Sequence, residues 1–142
     1  MPEIIKQNAK VLSIKEPWAS FIKEKFKYIE TRCWETTYRG PLYIHAGKSK
    51  PTPKILADHK EMFDLLDYTD FDYGCIIAKC NLVDCKLMTE EFINEVKKNY
   101  NEYISGFYEP GRYAWILEDI EVLETPIPAK GWLGVWRYKE TA

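Results

Sequence analysis

The densest run of chemically active side chains lies between residues 23 and 34, where lysines precede an acid, an arginine and a tryptophan. Glu30 and Arg32 are two positions apart, so on a strand both side chains share one face, about 7 Å apart. A guanidinium can bind a phosphate or a base edge through two hydrogen bonds, and a carboxylate can accept from an exocyclic amine. Lys27 lies in the predicted turn before them. An exposed Glu–Arg pair on a solvated strand has the same spacing, and spacing alone favours that alternative.

Two further groups of residues extend this candidate site. Trp18 and Trp34 flank the run, and an aromatic ring stacked on a base is worth about 1–3 kcal/mol. A basic segment follows, made of Arg39, His45, Lys48 and Lys50. It adjoins the Glu30 strand if the intervening turn forms a hairpin, and a solvent-facing loop is the alternative. The candidate ligand-binding residues are therefore Trp18, Lys27, Glu30, Arg32, Trp34, Arg39, His45, Lys48 and Lys50.

Other motifs of catalysis, nucleotide binding and metal binding are missing from the sequence. The chain contains no Gly-x-Ser-x-Gly, phosphate-binding glycine loop, His-Glu-x-x-His or dinucleotide fingerprint. Its four cysteines form no Cys-x-x-Cys pair, and neither histidine falls at zinc-ligand spacing. We therefore predict no metal and no cofactor, and we interpret the cysteines as reduced core thiols.

Length and composition favour a single globular domain over residues 1–142. Hydrophobic residues make up 46% of the 142 residues and charged residues 30%, so a sizeable core can offset the chain entropy. No apolar run approaches the roughly 20 residues of a membrane span. The first residues, Met-Pro-Glu-Ile-Ile-Lys, lack the basic and apolar regions of a secretory signal. We therefore expect a cytoplasmic protein with no membrane partner.

The net charge of −2 conceals a division between two parts of the chain. Residues 1–60 carry 12 Lys and Arg against 6 Asp and Glu, a net of +6. Residues 61–142 carry 8 against 16, a net of −8. The positive part favours an anionic partner, whereas attraction between the two parts within one fold explains the division equally well.

Hydrophobic periodicity predicts the order β-α-β-β-α-β-α-β-β-β. Three helices begin near Pro17, Thr52 and Thr89, where a first-turn proline or a capping threonine occurs. Short strands are predicted near 11–14, 29–34, 42–46, 74–83, 112–117, 120–123 and 131–138, with the odd-numbered residues of 29–33 facing the core. This order indicates an α+β fold, with a small mixed or closed sheet and the three helices packed outside it.

Several segments, taken in order, match a known family. They are LSIKEPWA (12–19), KYIETRCW (27–34), YRGPLYIHA (38–46), 51–53, 74–85, GRYAW (111–115) and 130–136. Together they resemble the activating signal cointegrator homology (ASCH) domain, which is related to the PUA (pseudouridine synthase and archaeosine transglycosylase) domains. The resemblance covers nearly the whole chain. It implies a small mixed β-barrel of about five to six strands with three flanking helices, and an association with RNA or nucleic-acid binding.

The resemblance also points to a motif at the mouth of a cleft, Gly-x-Lys-x-x-Glu-x-Arg. Here Lys27, Glu30 and Arg32 occupy its last three positions, and Lys25 stands where the family has glycine. Glycine often permits an unusual backbone angle or a close approach. The lysine at this position adds positive charge to the loop.

Some small bacterial members of this family are amidohydrolases that remove the acetyl group from acetylated cytidine. They use a Lys and a Thr of this motif together with a later Glu. Lys27 matches the Lys, whereas Glu30 stands at the Thr position. Glu91, Glu95 and Glu102 are all candidates for the later Glu.

These observations lead to one prediction and two alternatives. We predict a binding module for RNA, including single-stranded nucleic acid, or for a modified nucleoside, with a basic cleft beside the Lys-x-x-Glu-x-Arg motif. The first alternative is a metal-free amidohydrolase acting on acetylated cytidine or a related acylated base, with Lys27 and Glu30 as its catalytic residues. The second is a protein-interaction module of the coactivator type that uses the acidic part of the chain.

Overall fold

The computed structural model describes residues 5–67 and 70–140, which form one six-stranded sheet and five short helices. In chain order the elements are β1 (Lys10–Ile14), α1 (Trp18–Lys23), β2 (Ile29–Arg32), β3 (Gly40–Ala46), α2 (Pro53–Asp58), α3 (Lys60–Leu65), β4 (Cys75–Leu87), α4 (Glu90–Val96), α5 (Tyr100–Ile104), β5 (Tyr113–Pro128) and β6 (Val135–Arg137). The sheet curls into a half-barrel, which confirms the α+β class and a small PUA-like architecture.

The strands follow the order β2-β5-β4-β3-β1-β6 across the sheet. β1 and β3 are parallel, and every other neighbouring pair is antiparallel. β2 pairs with β5, and both β5 and β4 lie between it and β3. The hairpin that would have joined the Glu30 strand to the His45 strand is therefore not formed, because β5 and β4 separate β2 from β3 in the sheet.

The long strands β4 and β5 bend because their pairing is irregular. Their register shifts between Ile76 and Ala78, between Lys79 and Asn81, and between Leu82 and Asp84. Asp119 has a φ of 54° within β5, in the left-handed region where few residues other than glycine lie. Such irregularities increase the local twist and let a sheet curl. They also explain why 112–117 and 120–123 look like two strands in the sequence but form one.

The predicted helical regions contain helices, but two of the three are divided. The Thr52 and Thr89 side chains cap α2 and α4, accepting hydrogen bonds from Ile55 N and Phe92 N as predicted. Asn99 then accepts from Glu102 N and begins α5 as a separate helix. An asparagine side chain competes with the backbone for such bonds, which favours a new start over continuation. The three predicted helices are thus five short ones.

The main core lies inside the curl of the sheet. It is formed by apolar residues of the strands and α1: Leu12, Ile14, Ala19, Ile22, Leu42, Ile44, Ala46, Ile77, Ala78, Cys80, Leu82, Trp115, Leu117 and Ile120. Burial raises the pKa of the Cys80 thiol to about 12. Cys33 is exposed, so the interpretation of all four cysteines as core thiols is wrong at this position.

The face of β2 that contacts the interior carries polar side chains. Glu30 is 6% exposed and lies opposite the fully buried Trp115. Ile29, on the other face, is half-buried against a smaller cluster that contains Met88. The prediction that the odd-numbered face alone meets the core is therefore wrong, and the even-numbered face points into the fold beside a cavity.

Candidate functional site

A cleft of about 580 Å³ lies beside the inward face of β2. Its lining residues come from β1, β2, the start of α1, the end of α5 and five connecting segments: Ser13, Ile14, Lys15, Trp18, Glu30, Thr31, Arg32, Gly47, His59, Ile104, Ser105, Gly106, Phe107, Arg112, Trp132, Leu133 and Gly134. Cavities of roughly 300–1,000 Å³ bind small ligands, commonly through apolar walls and a few polar groups. Here aromatic side chains lie beside the ion pair of Glu30 and Arg32. We call this the first cleft.

The polar centre of the first cleft is an ion pair between Glu30 and Arg32. Glu30 Oε2 accepts hydrogen bonds from Arg32 Nε at 3.1 Å and Nη2 at 2.9 Å. Arg32 Nη2 also donates to the Ser13 carbonyl at 3.2 Å, and Glu30 Oε1 accepts from Thr31 N at 3.2 Å. Arg32 Nη1 makes no hydrogen bond to the described residues. Both side chains are thus held in place, and the guanidinium retains a donor for a ligand.

Lys27 lies beneath this pair and does not line the first cleft. Its side chain is completely buried, with Nζ 3.8 Å from Glu102 Oε2 on α5. Burial lowers the pKa of Lys27, against the opposing effects of Glu102 and Glu30. Burial likewise raises the pKa of Glu102, whose Oε1 accepts from Tyr28 N at 2.7 Å. Of the three acids considered for the later Glu, Glu102 lies beside Lys27, and Glu91 and Glu95 are exposed on α4.

The turn between α1 and β2 positions these motif residues. Lys25 adopts a φ of 65°, and its N–H and that of Phe26 donate back to carbonyls of α1. This arrangement ends a helix with one left-handed residue, a position that glycine usually fills. The lysine at the glycine position of the motif therefore keeps the unusual backbone angle that the resemblance implies.

The wall of the first cleft opposite Trp18 contains residues that the sequence did not single out. Arg112 lies 4.4 Å over the ring of Phe107, and its Nε donates to the Phe107 carbonyl at 3.0 Å. Phe107 N donates to Thr31 Oγ1, which joins this loop to β2. Phe107 is 59% exposed and Trp132 58% exposed. The signals in the sequence were the matched segments 111–115, which contains Arg112, and 130–136, which contains Trp132.

Comparison with known proteins shows the family of this chain. The family model described as "ASCH domain" matches residues 12–127. The chain belongs to the ASCH domain family. This family is associated with RNA binding.

Two curated relatives contain a similar ASCH segment. Activating signal cointegrator 1 of Homo sapiens is 28% identical over 132 residues, and that of Mus musculus is 27% identical over 132 residues. Each alignment covers 89% of this chain and 22% of the relative. The chain thus spans about a fifth of the length of these proteins.

Three of the nine predicted ligand-binding residues line the first cleft, and a fourth lies directly behind it. Trp18, Glu30 and Arg32 line it, and Lys27 lies buried behind Glu30. Trp34 packs edge-on against Trp115 at 4.7 Å and does not line the cleft.

Arg39 and the two lysines of the basic segment lie elsewhere. Arg39 donates to the Thr36 and Tyr38 carbonyls, 3.8 Å from Asp84. Lys48 and Lys50 are exposed, and Lys48 lines a separate cleft.

His45 is 1% exposed and lies in the interior of the fold. Trp136 Nε1 donates to Ser13 Oγ at 3.0 Å, which leaves the Ser13 hydroxyl to donate to His45 Nδ1 at 2.9 Å. His45 Nε2 then donates to the Ala129 carbonyl at 2.7 Å. Burial lowers the pKa of His45 and so favours the neutral ring, in which Nδ1 accepts and Nε2 donates. The structure therefore does not bring His45 to the cleft.

Neither metal ligation nor membrane insertion is indicated by the arrangement of the described residues. Across residues 5–67 and 70–140, no three His, Cys, Asp or Glu side chains cluster as metal ligands would. None of the helices in those ranges has the length and apolar character of a membrane span.

Proposed function

We propose that the first cleft binds a nucleobase of RNA or of a modified nucleoside, and that it selects bases with an exocyclic amine. The observation that carries this proposal is the fixed Glu30–Arg32 pair on the wall of an aromatic cleft of about 580 Å³. Trp18, Phe107 and Trp132 offer aromatic faces for stacking, which is nearly independent of base identity. Selectivity must therefore come from the polar pair.

The chemistry of the pair favours a cytosine-type edge. A carboxylate accepts hydrogen bonds only, and Glu30 is suited to accept from the N4 amine of cytosine. Arg32 Nη1 can donate to an acceptor on the same edge, such as a ring nitrogen or a carbonyl. Uracil carries a carbonyl where cytosine carries this amine, so its oxygen would face the Glu30 carboxylate. A mismatch of this kind costs about 1–3 kcal/mol.

Calorimetric titration of cytidine and uridine tests this proposal. We expect cytidine to bind at least about tenfold more tightly than uridine, because 1.4 kcal/mol corresponds to tenfold. Glu30→Gln should remove most of this preference, and Arg32→Ala should weaken both ligands. Arg39→Ala is the matched control, because this exposed arginine lies outside the cleft. Equal binding of the two nucleosides, or binding unaffected by both cleft variants, would contradict the proposal.

A second candidate function is the metal-free amidohydrolase acting on acetylated cytidine. The observation in its favour is the Lys27–Glu102 pair behind Glu30, where burial lowers the pKa of Lys27. A neutral amine in a dry site can act as a base or a nucleophile. The reaction would add water across the amide and release acetate and cytidine.

Chromatography of acetylated cytidine after incubation with the protein tests this second candidate. We expect turnover to disappear in Lys27→Met and in Glu102→Gln and to survive in Glu95→Gln, a change of an exposed acid on α4. Circular dichroism spectra must show that each variant is folded. Absence of turnover in the unmodified protein, or turnover that survives Lys27→Met, would reject the enzyme function.

A further inference from the structure

A second cleft of about 930 Å³ adjoins the first, and Trp132 lines both. Four cationic side chains line this second cleft, namely Lys48, Lys130, Arg137 and Lys139, and its lining contains no Asp or Glu. They come from the loop after β3, the loop before β6, β6 itself and the segment that follows it. The fold therefore collects charges that are far apart in the sequence.

Within the parts of the chain that the structure describes, the cations of the second cleft have no acidic partner. Throughout the described ranges 5–67 and 70–140, none of the four forms an ion pair. Exposed lysines elsewhere do form them, as Lys54 does with Asp58 and Lys98 with Glu95. The net charge of the chain is −2, so an uncompensated basic cleft is a local concentration of charge. Like charges held together are stabilised by an anionic ligand.

Trp132 connects the basic cleft to the nucleobase cleft. Its ring is 58% exposed, and Lys130 Nζ lies 4.5 Å over it. An aromatic ring beside a positive groove is the usual arrangement for binding single strands, because bases stack while phosphates follow the cations. An acidic peptide would satisfy the cations but would leave the aromatic surface of Trp132 and Tyr138 without stacking partners.

We propose that the second cleft binds the phosphate backbone of a single-stranded polynucleotide whose base occupies the first cleft. The natural ligand is then an oligonucleotide segment rather than a free nucleoside. The inference rests on the proposed function for the identity of the base, whereas the contribution of two of the four cations, Arg137 and Lys139, is measured separately.

The test compares two ligands and two double variants. The ligands are cytidine and an eight-nucleotide single-stranded RNA that contains cytidine, both titrated at several salt concentrations. Arg137→Ala/Lys139→Ala removes two cations of the second cleft and leaves Lys130, which lies over the Trp132 ring, in place. Lys86→Ala/Lys98→Ala removes two exposed lysines that line neither cleft, so the net charge of the two variants is the same.

We expect Arg137→Ala/Lys139→Ala to weaken RNA binding about tenfold at low salt and to leave cytidine binding unchanged. Each lost phosphate contact reduces the slope of log K against log salt by about 0.7, so the slope should fall by about 1.4. The Lys86→Ala/Lys98→Ala control should retain the original slope and affinity. This result would support a phosphate-binding second cleft.

Other outcomes separate the two proposals. If cytidine binds but the affinity for the RNA is unchanged in Arg137→Ala/Lys139→Ala, the second cleft does not bind the RNA backbone. If the RNA binds with the expected loss while cytidine does not bind, the backbone site stands and the nucleobase proposal fails. A polyglutamate peptide that binds as tightly as the RNA, with the same dependence on Arg137 and Lys139, would overturn the assignment to a polynucleotide.

Discussion

Two buried polar groups, around His45 and around Lys27, differ in how completely their hydrogen bonds are satisfied. His45 is 1% exposed, and both ring nitrogens have partners in the chain that joins Trp136, Ser13 and Ala129. The Lys27 side chain is fully buried, yet its Nζ, Glu102 Oε2 and the Tyr108 hydroxyl have no hydrogen-bond partner in the described parts of the chain.

This difference indicates different roles. A fully satisfied polar network stabilises one packing of its strands, and the His45 network joins β1, β3 and β6 in that way. Buried polar atoms without partners in the protein cost free energy, and a catalytic role or an ordered water is among the usual reasons for them. Those around Lys27 lie next to Glu30 and the first cleft. The comparison therefore favours a structural role for His45, and it supports the role proposed above for Lys27.

Glu102→Ala should have the largest effect on stability. The change removes the acid beside Lys27 and the acceptor of Tyr28 N. Breaking one side of a buried ion pair costs about 3–5 kcal/mol, because the remaining group keeps an uncompensated charge or changes its protonation state. Urea unfolding should show this loss. Adding Lys27→Met should recover part of it, since an apolar side chain of similar length needs no partner.

The control for this experiment is Glu95→Ala, which removes an exposed acid that pairs with Lys98. Exposed ion pairs contribute at most about 1 kcal/mol, so this variant should unfold close to the original protein. A double variant less stable than Glu102→Ala alone would contradict this expectation, because it would show that Lys27 without its acid partner does not destabilise the fold.

Gly131→Ala should have the next largest effect, and it acts on the His45 side. A Cβ at Gly131 would lie 2.7 Å from His45 Cε1 and 2.8 Å from Ser13 Oγ. Forcing extra atoms into a packed site costs about 1–3 kcal/mol. Gly47→Ala is the control, because its nearest contact would be 3.8 Å from the Ile14 carbonyl. Equal unfolding free energies for the two variants would contradict the close packing around His45.

Local patterns in the sequence predict the parts of the site that depend on neighbouring residues. The period of two on a strand was enough to place Glu30 and Arg32 on one face, where they form an ion pair. The capping threonines Thr52 and Thr89 marked the two helix starts. The matched motif identified Lys27 and left three acids as possible partners. Glu102 is recognised among them only from the fold, which places α5 beside Lys27 and Tyr28.

The role of His45 was not predictable from local spacing. Its partner Ser13 lies on the parallel strand β1, and Trp136 bonds to that serine across 123 positions. In the sequence His45 precedes two lysines, so it looks like the start of a basic loop. The same limit hid the second cleft, whose cations meet only because β6 pairs with β1.

The pH dependence of stability should show the neutral state of His45. Burial lowers its pKa below the ordinary 6.5, so below that pH the unfolded chain binds a proton that the folded chain does not. The stability that the neutral His45 ring contributes is complete above about pH 6.5. It is lost as the pH falls towards the pKa of His45 in the folded protein, by up to about 1.4 kcal/mol per pH unit. The stability difference between the original protein and His45→Gln should shrink over this range. A constant difference from pH 5 to 8 would contradict the neutral network, and His59→Gln serves as the control at the other histidine.

Lys25→Gly should stabilise the protein by about 1 kcal/mol. A left-handed backbone costs an ordinary residue roughly 1–2 kcal/mol, and glycine avoids this cost but loses more entropy on folding. Lys25 is exposed, so its side chain contributes little packing. Lys15→Gly, at another exposed lysine without a left-handed φ, should destabilise. Loss of stability in Lys25→Gly as well would show that the turn gains from its lysine.

Tyr108→Phe should have the smallest effect on the free energy of unfolding. Its sign should differ from that of removing a hydroxyl that makes a hydrogen bond. The Tyr108 hydroxyl is buried and has no hydrogen-bond partner within residues 5–67 and 70–140. Removing it relieves the cost of burying a polar group. The free energy of unfolding should therefore fall by at most about 0.5 kcal/mol, or it should rise. Tyr38→Phe is the matched control, because the Tyr38 hydroxyl donates to the Pro41 carbonyl and its removal should cost about 0.5–1.5 kcal/mol. A loss above 1 kcal/mol in Tyr108→Phe would mean that this hydroxyl is satisfied after all, and the contrast between the two buried networks would then rest on Lys27 and Glu102 alone.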